Sequence, residues 1–232
     1  RAIETADIAG VSTNQVAALL TSQVAGLTTG QIAALSSNQV GQLTTAAFAQ
    51  LTSTQLQSIE TNDIAGVTTS QIAGLSSAQV GQFLTAQLAQ FSSNQIQAIE
   101  TGDVRGLTST QIAGLSSNQV GQLTTSQFVQ LTSGQIRAIE TADIAGVSTN
   151  QVAAIVTSQV AGLTTGQIAA LSSTQLGQLT TAAFAQLTST QLQSIVTADI
   201  AGVTTSQIAG LSSNQVGQFL TAQLAQFSSN QI

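Results

Sequence analysis

Residues 27–34 read Leu27-Thr28-Thr29-Gly30-Gln31-Ile32-Ala33-Ala34, and the next eight read Leu35-Ser36-Ser37-Asn38-Gln39-Val40-Gly41-Gln42. The two stretches share one frame: an aliphatic residue, two hydroxyls, a variable residue, Gln, an aliphatic residue, then two small or polar residues. Working outward with Ile3 as position 1, the frame never slips. Position 1 is Ile, Val, Leu or Phe at Ile3, Val11, Leu19, Leu27 and onward to Phe227. Position 6 behaves alike from Ile8 and Val16 through to Ile232, and position 3 is Ser or Thr in every unit. Position 5 is Gln except for five Asp and two Ala, Ala47 and Ala183. The 232 residues hold twenty-nine octads with the consensus Leu-Thr-Thr-x-Gln-Ile-Ala-Gly. A fixed internal period of this kind marks a repeat architecture, whose length counts units rather than cores.

A higher order lies above the octad. Glu-Thr-x-Asp units start at Ile3, Ile59, Ile99 and Ile139, with a Val-Thr-Ala-Asp variant at Ile195. Successive starts are seven, five, five and seven octads apart, and residues 137–232 repeat residues 1–96 with seven differences, all of which keep the octad. The longer repeat therefore spans seventeen octads, and the pattern shows one continuous array, 1–232, without a linker.

A continuous α-helix cannot carry this pattern. Eight residues leave about 80° of drift per unit at 3.6 residues per turn, so the apolar stripe would wind around the helix. Something must reset the chain in each octad, and the hydroxyls suit that task. A Ser or Thr oxygen accepts backbone N–H groups two or three residues on, and position 2 stands three residues before Gln, the capping-box spacing. Which of Thr28 and Thr29 caps is open at this level, although only position 3 never varies. Ala, Gln and Leu favour helix, and Gly at position 7 or 8 suits a left-handed helix exit. The expectation is an all-α solenoid of short helical turns, one per octad. The alternative is a β-solenoid, supported by Thr, Val and Ile. Against it, core positions separated by odd spacings fall on opposite faces of a strand. One octad buries two aliphatic side chains, worth about 3–6 kcal/mol. Ordering its backbone costs about 8–16 kcal/mol, so no octad stands alone.

Composition excludes several function classes. Charged residues make up 5% of the chain, against 42% hydrophobic, and the net charge is −6. The only basic residues are Arg1, Arg105 and Arg137, so no basic face exists to neutralise nucleic-acid phosphates. The longest apolar runs are short, such as Val16 to Leu20, which argues against membrane insertion. Cys, His, Met, Trp, Tyr and Pro are absent, removing disulfides, thiolate metal sites and the familiar bases that activate a Ser or Thr nucleophile.

The acids remain: Glu4/Asp7, Glu60/Asp63, Glu100/Asp103, Glu140/Asp143 and lone Asp199. Glycosidase chemistry needs one carboxylate pair flanking a cleft, whereas these are copies of one pair. Calcium needs six to eight oxygen ligands, and Val196 replaces one acid outright. The acids read as helix N-terminal structure that offsets the macrodipole. The recurring Gln reads as an internal ladder, its amides bonding to one another or to backbone. A glycan-binding face is the competing view. Hydroxyl pairs such as Thr28-Thr29, Ser36-Ser37 and Thr44-Thr45 invite an ice-binding reading, but Glu4, Leu20, Leu84 and Val156 interrupt that face. The seven Phe all occupy positions 1 or 6 and read as core. No catalytic, cofactor or metal residue is assigned.

The octad of residues 27–34 resembles the Leu-Thr-Thr-x-Gln-Ile-Ala-x arrays of large repetitive bacterial surface proteins, adhesin- or haemagglutinin-like. The resemblance covers the whole chain and carries over no binding residue. It implies an exported product, extracellular or on the cell surface. The expected function is a structural rod or fibre, the shaft of a giant surface protein or the subunit of a filament. The alternative is an ice- or glycan-binding module. The first residue is Arg1 at position 7 and the last is Ile232 at position 6, so writing the end before the start restores an unbroken octad. Self-association end to end, or covalent continuation in a longer chain, is expected.

Overall fold

A computed structural model describes residues 4–231, and among them no strand forms. The chain packs as two compact units, residues 1–115 and 116–232. Each unit is an all-α solenoid, as the octad predicts. Each octad up to the one at Phe219 contributes one short helix, such as Thr29–Ala33, Ser37–Gln42 or Thr69–Ala73 in the first unit and Thr165–Ala170 or Thr205–Ala209 in the second. The Asp-bearing octads form 3₁₀ helices instead, among them Thr61–Gly66 and Thr197–Gly202.

The reset is an extended corner at positions 1 and 2. Leu43 has φ −58°, ψ 130°, and Thr44 has φ −59°, ψ 150°. The corner ends where position 2 caps the next helix, which resolves the choice between the two hydroxyls. Thr28 Oγ1 accepts the Gln31 N–H at 3.2 Å, and Thr28 N–H donates to Gln31 Oε1 at 2.7 Å. Thr29 is the first helical residue. Where position 2 has no hydroxyl, the position-5 N–H turns to the position-2 carbonyl. Gln23 donates to the Leu20 carbonyl at 2.9 Å, Gln87 to Leu84 at 3.0 Å and Asp63 to Glu60 at 2.9 Å. That i−3 bond is the tighter 3₁₀ turn.

Helices stack on those three octads away: Thr13–Ala17 packs on Ser37–Gln42, and Thr165–Ala170 on Ser189–Ser194. The two apolar positions serve opposite faces of that stack. Position 6 is buried in every octad from Ile8 to Ile200, and position 1 in every octad from Leu35 to Val203. Val11, Leu19 and Leu27, which have no described turn before them, are only half-buried, whereas Val216 and Leu224, with none after, are exposed. Position 1 thus packs on the turn before and position 6 on the turn after. Six of the seven Phe are buried, with Phe83 and Phe91 edge-to-face at 5.3 Å between centroids.

The glycines do not act as the sequence suggested. Among the described residues none has positive φ, and Gly26, at a helix C-terminus, sits at φ −84°, ψ −5°. The chain leaves each helix through the extended position-1 residue, so no left-handed exit is needed. Glycine matters here for close approach between turns.

Candidate functional site

The position-5 Gln is the residue that joins one turn to the next. Gln71, 1% exposed, accepts the Thr68 N–H at 2.7 Å through Oε1. Its Nε2 donates to the carbonyls of Val40 at 2.8 Å and Leu43 at 2.7 Å, 31 and 28 residues back. Gln207 in the second unit repeats the geometry with Thr204, Leu176 and Leu179. The carbonyls belong to position 6, in the last turn of the preceding helix, and to position 1, the first residue of the corner after it; the ends of helices leave carbonyls with accepting capacity to spare. The ladder foreseen in the sequence therefore runs from amide to backbone, not from amide to amide. No buried side-chain nitrogen or oxygen lacks a partner among the described residues.

The acidic octads depart from this scheme. A carboxylate has no N–H to give to the preceding carbonyls, and in the second unit Asp accepts a backbone N–H instead. Asp199 Oδ1 takes the Ser173 N–H at 2.8 Å. The Ser117 N–H does the same for Asp143, which lowers its carboxyl pKa. Burial, and next the Glu140 carboxylate, outweigh that bond and leave the pKa above the ordinary value of 3.8. Asp7 Oδ2 accepts the Glu4 N–H at 3.2 Å, a local cap. Two of the five Asp, Asp143 and Asp199, thus bind the neighbouring turn, where the sequence reading places them at the N-terminus of their own helix.

Each acidic octad ends in Gly, and from Gly66 onward that Gly lies directly on the preceding turn. A Cβ at Gly66 would run into the Ser37 carbonyl, and one at Gly41 would sit 2.6 Å from the Gly66 carbonyl oxygen. The same reciprocal pair recurs as Gly106 on Ser77 with Gly81, Gly146 on Ser117 with Gly121, and Gly202 on Ser173 with Gly177. Sequence reading missed this seat, though the signal was present. Octads of the form Leu-Ser-Ser-x-Gln-Val/Leu-Gly-Gln begin at Leu35, Leu75, Leu115, Leu171 and Leu211, and the first four stand three octads before an acidic octad.

An open cleft of about 570 Å³ in the first unit is lined by Val11, Ala34, Leu35, Ser36, Asn38 and Asp63, among others. Among the described residues no group of three or more His, Cys, Asp or Glu is placed to hold a metal ion. No described helix is long and apolar enough to cross a membrane.

The sequence profile of the ALTTAQ repeat matches residues 1–37, 56–93, 96–133 and 136–173, well over half of the chain. The chain belongs to the ALTTAQ repeat family. Each matched segment begins two or three residues before an acidic octad, at Ile3, Ile59, Ile99 or Ile139. The match covers nearly all of the five-octad blocks opened at Ile59 and Ile99, but only the first part of the seven-octad blocks opened at Ile3 and Ile139. The acidic octad at Ile195 falls outside the matched segments. Comparison with curated proteins gives no match.

Proposed function

We propose that this ALTTAQ array is a structural shaft or fibre segment, exported and displayed on the cell surface or within an extracellular filament, with no enzymatic role. The observation that carries this reading is where the polar side chains go. Gln at position 5 uses both ends of its amide on backbone, as Gln71, Gln95 and Gln207 do. The position-2 hydroxyls cap helices, and acids such as Asp199 hold the turn before. Side chains that a ligand would need are already engaged in building the stack. Turns are also interchangeable: residues 1–96 recur as 137–232 with changes that preserve every octad. Stability then grows with the number of turns, as in other linear repeat proteins. The likeness of the octad to arrays in adhesin-like bacterial surface proteins supports export, as does solubility carried by Ser, Thr, Gln and Asn instead of charge.

Immunogold labelling of intact producing cells with an antibody to this segment tests the reading. Gold on the cell exterior or along extracellular filaments is expected. Gold confined to the cytoplasm of sectioned cells, with none on intact ones, would overturn it.

A further inference from the structure

Two kinds of bond hold a corner. A position-2 hydroxyl closes it onto the next helix, and a Gln 28 residues on ties its position-1 carbonyl to the following turn. The corner Leu163-Thr164 has both: Thr164 Oγ1 accepts the Gln167 N–H at 3.1 Å, and Gln191 Nε2 donates to the Leu163 carbonyl at 2.7 Å. Val147-Ser148 has both as well, through Gln151 and Gln175. The corner between them, Ile155-Val156, has neither. Val156 brings no hydroxyl, and residue 183, which stands 28 beyond Ile155, is Ala. Ile155 is 5% exposed, yet among the described residues its carbonyl accepts no hydrogen bond.

The first unit repeats the combination. Leu20 has no hydroxyl, and residue 47, which stands 28 beyond Leu19, is Ala. Elsewhere the two omissions fall at different corners. Leu84 lacks a hydroxyl, but Gln111 holds the Phe83 carbonyl. Asp199 cannot tie the Leu171 carbonyl, but Ser172 caps that corner and Gly202 seats on the same octad. Drift has left the combination intact. Two of the seven differences between residues 1–96 and 137–232 fall on this corner, Leu19 against Ile155 and Leu20 against Val156, and neither brings in a hydroxyl.

We infer that Ile155-Val156, and Leu19-Leu20 in the first unit, are hinges: corners where the gap to the following turn opens while the neighbouring corners stay closed. The bonds around the second of them give the hinge its direction. Gln159, on the helix after the corner, donates to the carbonyls of Phe128 at 3.0 Å and Leu131 at 2.8 Å, so this octad stays fastened to the turn before. Toward the turn after, Gln175 and Gln191 hold the corners on either side, at Val147 and Leu163. Opening is confined to the stretch between them. Little within that stretch resists it. The helix Thr157–Val160 has four residues, far too few to persist without tertiary support. Ile155, Val156, Thr157 and Val160 are β-branched, which lowers helix propensity further. Val156 is already 40% exposed, so opening removes little of its burial. The two hinges stand one seventeen-octad repeat apart, which gives a shaft a joint at a fixed interval. The hinge adds to the shaft reading, but it is a property of the folded chain and holds or fails in purified protein wherever cells place it.

Hydrogen exchange read by mass spectrometry on the purified, folded 232-residue chain tests it. Amides of residues 155–162 should exchange about tenfold or more faster than those of the flanking octads 147–154 and 163–170. Val156→Thr supplies the missing hydroxyl at an exposed site and should slow exchange over 155–162 by about fivefold, the effect of one N-cap. Ala183→Gln supplies the missing amide, and Gln127-Phe128 shows that a buried Gln fits directly before a position-6 Phe. It should slow the same stretch by about fivefold or more. Neither variant should change 163–170. Position 183 is fully buried, so if Ala183→Gln alters the circular dichroism of the chain, Val156→Thr alone decides. Exchange over 155–162 no faster than over both flanking octads would overturn the proposal. So would a Val156→Thr chain that slows all three stretches equally, or none of them.

Discussion

Replacing Gln71 with Ala isolates the bond that joins one turn to the next. The side chain is 1% exposed and makes three hydrogen bonds: from Thr68 N–H, and to the carbonyls of Val40 and Leu43. Val40 keeps a second partner, since its carbonyl also accepts the Leu43 N–H at 3.2 Å. Leu43 O and Thr68 N–H lose theirs. A buried carbonyl left unpaired costs about 1–3 kcal/mol, and the lost cap bond adds about 0.5–1.5 kcal/mol. Alanine returns a few tenths of a kcal/mol through helix propensity. The expected loss is about 2–4 kcal/mol. Gln23→Ala is the internal comparison, because Gln23 is exposed and its Oε1 takes only the Leu20 N–H. Its loss should stay near about 1 kcal/mol. Repeat arrays can open locally rather than all at once, so amide hydrogen exchange at Thr68 and its neighbours should accompany urea unfolding. Gln71→Glu sharpens the test. Its second oxygen would face two carbonyls at neutral pH, and protonation at low pH would restore one donor. The reasoning fails if Gln71→Ala costs no more than Gln23→Ala, or if acid does not improve Gln71→Glu relative to the parent.

Three further outcomes follow from the structure. Thr28→Ala should lose about 0.5–2 kcal/mol in thermal or urea melts while Thr29→Ala loses clearly less, since Thr28 holds the cap; equal losses would contradict that assignment. Leu84 is 45% exposed and caps its helix without a hydroxyl, so Leu84→Ser should stabilise the chain by about 0.5–2 kcal/mol, and a loss in the same melts would count against the octad rule. Asp143 has its carboxyl pKa raised in the fold by burial and by Glu140, so its folded state holds the proton more tightly than the unfolded chain does. Its contribution is a penalty, complete above the raised pKa and relieved as pH falls toward 3.8. Asp143→Asn, whose amide oxygen can still accept the Ser117 N–H, should match or exceed the parent in stability at neutral pH. Its advantage should shrink on acidification, and an advantage that grows would refute the assignment.

What the sequence alone determined follows from interactions that close within one octad. A hydroxyl three positions before Gln31 or Gln39 is placed to cap, and the aliphatic residues at positions 1 and 6 have no alternative to burial. From these came the all-α solenoid, the core and the place of the Phe residues. The choice between Thr28 and Thr29 needed the backbone, because both hydroxyls stand within reach of the same N–H groups until the corner's direction is known. The tertiary structure also decided everything that acts between turns: which carbonyls Gln71 serves, why Gly66 cannot carry a side chain, and why Asp199 binds Ser173. In a sequence of period eight, a partner three octads away looks the same as one at two octads or four. Only the bend of the corner, summed over three octads, selects among them. The glycines show the same division. Read locally, Gly at position 8 suggested a left-handed backbone, but at Gly66 its function lies in the Ser37 carbonyl of the preceding turn. That contact leaves no trace in local conformational preference, only in the pairing of acidic octads with the Ser-Ser-x-Gln-Val/Leu-Gly-Gln octads three units before them.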